Sequence, residues 1–167
     1  GEVGDRRNEG IALARGQYLA FLDDDDAWLP DKISRQVQSL QSSGLQMCCT
    51  EGYIGLGAYD PDKKYRRYNS EHYYGQIRRI FANKGSTLME AGYPDIWTRE
   101  FITVHNCVMT SSVVIRRDLV AAVNGFKTIR KAEDYDLWMK ATLHTDIVYL
   151  HEPLFYYDMK HGDGRLY

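Results

Sequence analysis

Four consecutive aspartates, Asp23 to Asp26, are the residues of this sequence with the clearest potential for chemistry. Adjacent carboxylates repel one another, and aspartate is unfavourable both in strands and in helix interiors. A divalent cation stabilises such a cluster, because Mg²⁺ and Mn²⁺ take oxygen ligands and often bind one or two protein carboxylates together with substrate phosphates. The cluster therefore indicates either a metal site or a solvated acidic turn.

A second acidic group, Glu133, Asp134 and Asp136, opens a predicted helix at residues 132–144. Carboxylates in a first turn are stabilised by the positive end of the helix dipole, so charge at a helix start is the ordinary interpretation. The same dipole lowers the basicity of a carboxylate, whereas burial beside Tyr135 or Trp138 raises it. The sequence leaves this balance open.

The elements around the aspartates predict an α/β fold. Residues 17–22 have strand length and composition, residues 30–43 have helical spacing closed by Gly44, and residues 45–50 form a second apolar strand. This order is that of a βαβ unit with a parallel sheet and a right-handed crossover. Open α/β sheets bind ligands at the carboxyl ends of their strands, which is where the aspartates lie.

The rest of the chain continues the same pattern without an internal linker. We predict helices at 7–15, 72–83 and 118–124, strands at 111–116, 146–150 and 154–157, and irregular structure at 51–75 and 86–101.

Composition excludes several classes of protein. The chain has 167 residues, 44% of them hydrophobic and 26% charged, as in an ordinary soluble globular domain. A net charge of −2 gives no reason to expect nucleic acid as a partner. No apolar run approaches the 18 or so residues that span a bilayer. The cysteines Cys48, Cys49 and Cys107 lack zinc-ligand spacing and are typical of buried thiols in a reducing compartment, so we expect a cytoplasmic protein whose full-length form could associate with a membrane.

Two blocks of this sequence resemble the family 2 glycosyltransferases with the GT-A fold. The first block consists of Arg7-Asn8-Glu9-Gly10-Ile11, Gly16, Tyr18, Phe21-Leu22-Asp23-Asp24-Asp25-Asp26 and Trp28, continued by Pro30-Asp31-Lys32 and Gln36. The second consists of Ser111-Ser112, Gly125-Phe126 and Glu133-Asp134-Tyr135-Asp136-Leu137-Trp138, with Tyr156 and His161 near the end. The resemblance covers nearly the whole chain, and it departs at Asn124, where the family usually has a first glycine.

The resemblance implies a GT-A type, Rossmann-like domain with a mixed, mainly parallel sheet flanked by helices. The chain would be a single partial domain, in which residues 1–50 end the donor half and residues 51–167 form the acceptor half. Family members carry a preceding βαβ portion that holds the nucleotide base, so the resemblance implies an N-terminally truncated domain. A truncated sheet exposes an unpaired edge, through which the chain could form a homodimer.

The function implied is that of an inverting hexosyltransferase-type enzyme in polysaccharide, cell-surface glycan or glycolipid synthesis. The donor would be a nucleotide-diphosphate sugar, with a UDP-sugar as the first expectation, and the acceptor a hydroxyl of a glycan or lipid-linked molecule. Mn²⁺ or Mg²⁺ would be the cofactor. The alternative is a noncatalytic nucleotide-sugar or carbohydrate binding module that retains the fold.

The resemblance also assigns roles within the two acidic groups. Asp25 would contact the metal, and Asp23 would hold the donor ribose or reach the metal through water. Asp26, counted among the substrate-binding residues, would orient its neighbours or cap the turn. Asp134 would be the general base that takes the acceptor proton, with Glu133 setting its orientation.

The remaining candidates each have two interpretations. Arg7 and Asn8 would contact donor phosphate or cap the first helix. Trp28 would stack on a sugar or pack in the core. His161 would be an additional metal ligand or a surface residue of the terminal tail, and the pair His105 and Asn106 could line the acceptor pocket.

Overall fold

The computed structural model describes residues 2–160, in which helices and short strands alternate around two long strands. In chain order the elements are α1 (Val3–Leu13), β1 (Tyr18–Ala20), β2 (Ala27–Trp28), α2 (Lys32–Ser43), β3 (Met47–Gly55), β4 (Arg66–Arg67), α3 (Tyr74–Asn83), β5 (Ile96–Trp97), α4 (Arg99–Val104), β6 (Val114–Arg116), α5 (Arg117–Ala122), α6 (Glu133–Ala141) and β7 (Ile147–Asp158). A π-helical turn at Tyr68–Tyr73 leads into α3, and a 3₁₀ turn at Thr110–Ser112 precedes β6.

The sheet is mixed, with strand order β1-β6-β3-β7-β2 and with β4 and β5 added beside β3 and β7. The α/β class and a mixed sheet flanked by helices are therefore as predicted. The expectation of mainly parallel pairing needs correction, because among the described residues only β3 and β7 pair in parallel. Strand β6 is inserted antiparallel between β1 and β3, so these two strands share a direction without bonding to each other.

Side chains that alternate along β3 separate two apolar clusters. Met47 and Cys49 face the larger cluster, in which Phe81, Phe101 and Trp138 are fully buried, from α3, α4 and α6. Cys48 faces a smaller cluster completed by Leu40 of α2 and by residues of β6 and β7. Helices therefore cover both faces of the sheet, and all three cysteines are buried free thiols.

Strand β3 continues through Gly52 and Gly55, which lie in the segment 51–75 that was predicted to be irregular. A β-carbon on Gly52 would overlap the ring of Phe155, and one on Gly55 would overlap the ring of Tyr156. The glycines are thus sites of close aromatic packing by β7 and not chain breakers. Strand β7 likewise runs on through Pro153 as one strand, with a register shift opposite Glu51, where two strands were predicted.

Irregular structure was also predicted too widely. The 51–75 segment contains the end of β3, β4 and the π-helical turn, and the 86–101 segment contains β5 and the start of α4. Strand β1 lies at one end of the sheet, and a homodimer through this edge stays a prediction. None of the helices formed by residues 2–160 combines the length and the apolar character that crossing a membrane requires.

We expect Gly52→Ala to lower the free energy of unfolding by about 1–3 kcal/mol, because the added methyl must displace the buried Phe155 ring. Urea unfolding followed by circular dichroism measures this change. Gly75→Ala is the matched control, since a β-carbon there meets no atom within 4 Å and alanine is favoured in a helix. A Gly52→Ala protein as stable as the control variant would contradict this packing.

Candidate active site

The two acidic groups predicted from sequence meet in one cleft. Asp23 and Asp25 enter it from the turn after β1, and Glu133 and Asp134 enter it from the first turn of α6. The cleft has a volume of about 250 Å³, and its wall is formed by Arg7, Asp23, Asp25, Met109, Thr110, Glu133, Asp134 and Tyr157.

Ser111 holds the aspartate turn in place. Its hydroxyl accepts a hydrogen bond from the Asp23 amide at 3.1 Å, and its carbonyl accepts one from the Trp28 indole at 3.0 Å. Ser111 is fully buried in the 3₁₀ turn before β6, the strand that pairs with β1. The sequence match included Ser111 but assigned it no role, because these contacts join segments more than 80 residues apart.

Arg7 lies between the two acidic groups. Its Nη2 donates to Asp23 Oδ1 at 2.7 Å, and its Nη1 donates to Glu133 Oε1 at 2.9 Å. The guanidinium also stands 5.4 Å from the centre of the Phe126 ring. Charge-assisted hydrogen bonds of this kind are the stronger ones in proteins. Arg7 is interior to α1 and does not cap it, and it lines the cleft, where a role towards donor phosphate stays a prediction.

Asn8 packs against the loop that follows α5. Its Nδ2 donates to the Phe126 carbonyl at 2.8 Å, and its Oδ1 accepts from the Phe126 amide at 3.0 Å. The loop turns through Asn124 and Gly125, at φ values of 61° and 60°. Asparagine is among the residues that tolerate this left-handed region, which explains why it stands here in place of glycine. The side chain of Asn8 is thus committed to the loop and does not cap α1.

Asp134 is a partly buried carboxylate with few hydrogen bonds. Its Oδ1 accepts from the Tyr135 amide at 2.6 Å, and its Oδ2 accepts from the Thr110 hydroxyl at 3.4 Å. Burial raises the pKa of Asp134, and the neighbouring charge of Glu133 raises it further, against the opposing effects of Tyr135, Arg7 and Thr110. Burial is thus the largest influence on this pKa, and it outweighs the lowering effect of the hydrogen bond from the Tyr135 amide. A carboxylate with a raised pKa is a better proton acceptor.

Asp26 and Trp28 belong to the framework of the turn. Asp26 Oδ1 accepts from the Asp158 amide at 3.2 Å, and burial raises the pKa of Asp26 to about 6. The indole of Trp28, besides its bond to Ser111, faces the ammonium of the buried Lys32 at 4.8 Å. Neither side chain is among those that form the wall of the cleft. Their predicted contacts with substrate stay predictions.

The acidic side chains of the cleft fit a metal that is shared with phosphate. Asp23 and Asp25 both face the cleft, and Arg7 binds one oxygen of Asp23. Within residues 2–160 no three histidine, cysteine, aspartate or glutamate side chains are grouped so as to hold an ion by themselves. Mg²⁺ is commonly held by one or two carboxylates together with substrate phosphates, which is the arrangement that this pair allows. His161, the third predicted ligand, lies outside the described residues.

A second cavity of about 250 Å³ adjoins the cleft. Asp134 and Met109 line both spaces, and His105 and Asn106 line the second one. His105 and Asn106 thus share this cavity with Asp134, and their role in an acceptor pocket stays a prediction.

Comparison with known proteins decides the family. The sequence profile described as glycosyl transferase family 2 matches residues 3–120, which is more than half of the chain. The chain belongs to this family. The match includes the aspartate turn, Arg7 and Ser111, and it ends before α6.

Relatives of this family 2 chain include proteins of glycan synthesis. It is 28% identical over 159 residues to the amylovoran biosynthesis glycosyltransferase AmsB of Erwinia amylovora, a match that covers 92% of the chain and 46% of AmsB. It is 38% identical over 48 residues to the Escherichia coli glucosyltransferase WfaP, covering 29% of the chain and 19% of WfaP. The chain thus spans less than half the length of the curated relatives that it matches.

Solved structures confirm the fold. The crystal structure of S. aureus TarS in complex with UDP-GlcNAc superposes with a TM-score of 0.65 at 17% identity, covering 100% of this chain and 42% of TarS. The complex of TarS with UDP gives a TM-score of 0.60 at 16% identity over 95% of this chain and 40% of TarS. At these identities the likeness concerns the fold alone.

The raised pKa of Asp26 predicts a pH-dependent contribution to stability. A native pKa of about 6, above the ordinary 3.8, means that the native state holds this proton more tightly than the unfolded state. The resulting stabilisation is complete below about pH 4 and is lost as the pH rises through 6. At each pH we compare the free energy of unfolding of Asp26→Asn with that of the wild type. We expect this difference to rise in favour of the variant by on the order of 2 kcal/mol between pH 4 and pH 7.

Urea unfolding of both proteins across this pH range measures the difference. Asp24→Asn, the same charge change on an exposed neighbour, is the control and should show no such increase. A constant difference between Asp26→Asn and wild type would show that Asp26 ionises normally.

Proposed function

We propose that this family 2 chain belongs to the catalytic domain of an inverting, metal-dependent glycosyltransferase. The enzyme moves a sugar from a nucleotide-diphosphate donor, in the first place a UDP-sugar, to the hydroxyl of a glycan or lipid-linked acceptor. The observation that carries the proposal is the meeting of Asp23 and Asp25 with the partly buried Asp134 in a single cleft. A binding module needs no carboxylate of raised basicity at this position.

Asp134 supplies the base. As the acceptor oxygen bonds to the anomeric carbon, the bond from that carbon to the donor diphosphate breaks on the opposite face, which inverts the configuration. The acceptor proton passes to a carboxylate oxygen of Asp134, whose burial raises its affinity for protons. Arg7 holds Glu133 next to it, and the charge of Glu133 adds to that affinity.

Asp25 and Asp23 serve the leaving group. Together they would hold Mn²⁺ or Mg²⁺, with Asp25 as the direct ligand and Asp23 either on the donor ribose or on a metal-bound water. When bound, the metal stabilises the negative charge that accumulates on the departing diphosphate. Asp23 is fixed in this position by Arg7 and by the hydroxyl of Ser111.

The relatives support the substrate classes. TarS has been crystallised with UDP-GlcNAc and with UDP, and WfaP is named as transferring glucose from UDP-glucose to a diphosphoundecaprenol-linked GlcNAc. AmsB is named as an amylovoran biosynthesis glycosyltransferase, and the Bacillus subtilis protein TuaG carries the name of a putative teichuronic acid biosynthesis glycosyltransferase. A role in cell-surface polysaccharide synthesis follows by similarity. The unpaired thiols suit a reducing cytoplasmic compartment.

We expect Asp134→Asn in the full-length protein to lower turnover by about 10²–10⁴-fold, because the amide cannot accept the acceptor proton. Binding of the donor, measured by calorimetry, should be unchanged. Since the pKa of Asp134 is raised, the wild-type rate should fall on acidification at a pH above the ordinary range of an aspartate.

Asp136→Asn is the matched control for this substitution. It lies two residues along α6, and its carboxylate pairs with Lys127 and Lys140 at 2.6 and 2.9 Å. Its turnover should stay near that of the wild type. Unchanged turnover in Asp134→Asn removes Asp134 as the base. A wild-type protein that binds UDP-sugars but transfers none to a glycan or lipid-linked acceptor would favour a binding module.

The metal role of Asp25 is tested by calorimetric titration with UDP in the presence and absence of Mn²⁺. We expect binding to depend on Mn²⁺ in the wild type, and this dependence to be lost in Asp25→Ala. Asp24→Ala, at the exposed neighbouring position, should retain it. Equal affinity for UDP with and without Mn²⁺ in the wild type would contradict a metal-held diphosphate.

A further inference from the structure

The second cavity adjoins the cleft of the two aspartates at Asp134 and Met109, since both residues line both spaces. A group bound in the second cavity would therefore lie beside the carboxylate of Asp134. At about 250 Å³ the cavity is smaller than the roughly 300–1,000 Å³ typical of sites for drug-sized ligands, so it suits a single ring.

Aromatic rings form one wall of this cavity. Tyr68 and Tyr73 belong to the π-helical turn, with their ring centres 4.9 Å apart and their planes tilted by 55°. Both are partly exposed, whereas Tyr93, which also lines the cavity, is buried. Single π-helical turns occur frequently at functional sites. The faces of the two exposed rings offer an apolar surface to the C–H groups of a ligand.

A buried carboxylate fixes that wall. Glu51 is only 1% exposed, and its two oxygens accept hydrogen bonds from the amides of Asn69 at 2.7 Å, Ser70 at 2.8 Å and Gly52 at 2.9 Å. Two of these amides lie in the π-helical turn, so the central strand β3 determines where Tyr68 and Tyr73 stand. Charge-assisted hydrogen bonds to backbone amides are strong, and the cavity is therefore preformed.

The opposite wall is polar but almost uncharged. Asn106 Oδ1 accepts from the Val108 amide, while its Nδ2 makes no hydrogen bond to any residue between 2 and 160. Burial and the nearby charge of Lys84 lower the pKa of His105, which keeps the imidazole neutral at pH 7. Among the described side chains that line this cavity, Asp134 is the only carboxylic acid, and none is a lysine or an arginine. A carboxylate or phosphate would meet Asp134 and find no cation to pair with.

We propose that this cavity is the acceptor subsite and that it binds a neutral pyranose ring, stacked on Tyr73 and hydrogen-bonded by Asn106, with its reactive hydroxyl at Asp134. This inference rests on the proposed function and specifies its acceptor as an uncharged sugar unit. A uronic acid or a sugar phosphate is excluded from the position next to the base, although such groups can lie further along the acceptor.

Methyl resonances of methionine provide a test that does not require the natural acceptor. The full-length protein is labelled with ¹³C-methyl methionine, and the Met109 signal is assigned with Met109→Leu. Four neutral probes are titrated, namely the methyl glycosides of glucose, galactose, mannose and N-acetylglucosamine. The methyl glycoside of glucuronic acid is titrated as the negatively charged comparison. We expect a saturable shift of the Met109 signal with at least one neutral glycoside and none with the glucuronide.

Two substitutions at one position separate stacking from folding. Tyr73→Ala should raise the dissociation constant of the neutral glycoside by about tenfold or more, whereas Tyr73→Phe, which keeps the ring, should stay within about twofold of the wild type. Tyr59→Ala is the control, because Tyr59 packs on Tyr65 and Tyr156 and lines neither space. Retained shifts of Met109 with UDP and Mn²⁺ show that each variant is folded.

The inference is overturned if no neutral glycoside gives a saturable shift, if the glucuronide binds as well as its neutral counterpart, or if Tyr73→Ala binds like the wild type. None of these outcomes affects the dependence of turnover on Asp134. Failure of the proposed function would instead appear as unchanged turnover in Asp134→Asn, so the two results are distinguishable.

Discussion

Arg7 bonds at the same time to Asp23 and to Glu133, which lies 126 residues further along the chain. Four carboxylates converge on this cleft, and without a cation among them their mutual repulsion would oppose the approach of α6 to the end of β1. The Arg7 side chain is only 15% exposed and Glu133 only 14%, so solvent screens this pair less than a surface pair. Removing one partner of such a pair leaves an uncompensated buried charge, which is the costly situation. The geometry of the site therefore depends on a residue of the first helix.

The carboxylates in and around the cleft differ in their burial and in their partners. Partial burial raises the pKa values of Asp26 and Asp134, whereas Asp23 is paired with the guanidinium of Arg7 at 2.7 Å. Asp26 uses its position to hold the amide of Asp158, and Asp134 faces open space on two sides. Different environments for neighbouring acids are what the proposed division of roles between a base and a phosphate-side group requires.

The central strand pair supports both sides of the site. Strand β3 carries Glu51, which holds the π-helical turn, and its partner β7 ends at Asp158, whose amide binds Asp26 and whose Oδ1 accepts from the amide of Gly57 at 2.7 Å. The glycines of β3 allow the aromatic rings of β7 to lie against the strand. Close packing at the centre of the sheet thus helps to fix the positions of the segments that form the walls of the two cavities.

The sequence by itself determined the local features. The strand that precedes the aspartates, the acidic start of α6 and the cap at Gly44 with its φ of 71° all follow from spacing and residue type, because these features depend on near neighbours. The two motif blocks were also enough to indicate the family. Each block consists of short runs of residues whose order is visible in the chain.

Only the tertiary structure determined which distant residues contact one another. The contacts of Arg7 with Glu133, of Asn8 with Phe126, of Ser111 with the aspartate turn and of Glu51 with the π-helical turn all join segments that no periodicity connects. The insertion of β6 between β1 and β3 is of the same kind, because strand order depends on which edges meet. The pKa of Asp134 likewise depends on burial, which outweighs the lowering effects of Tyr135, Arg7 and Thr110.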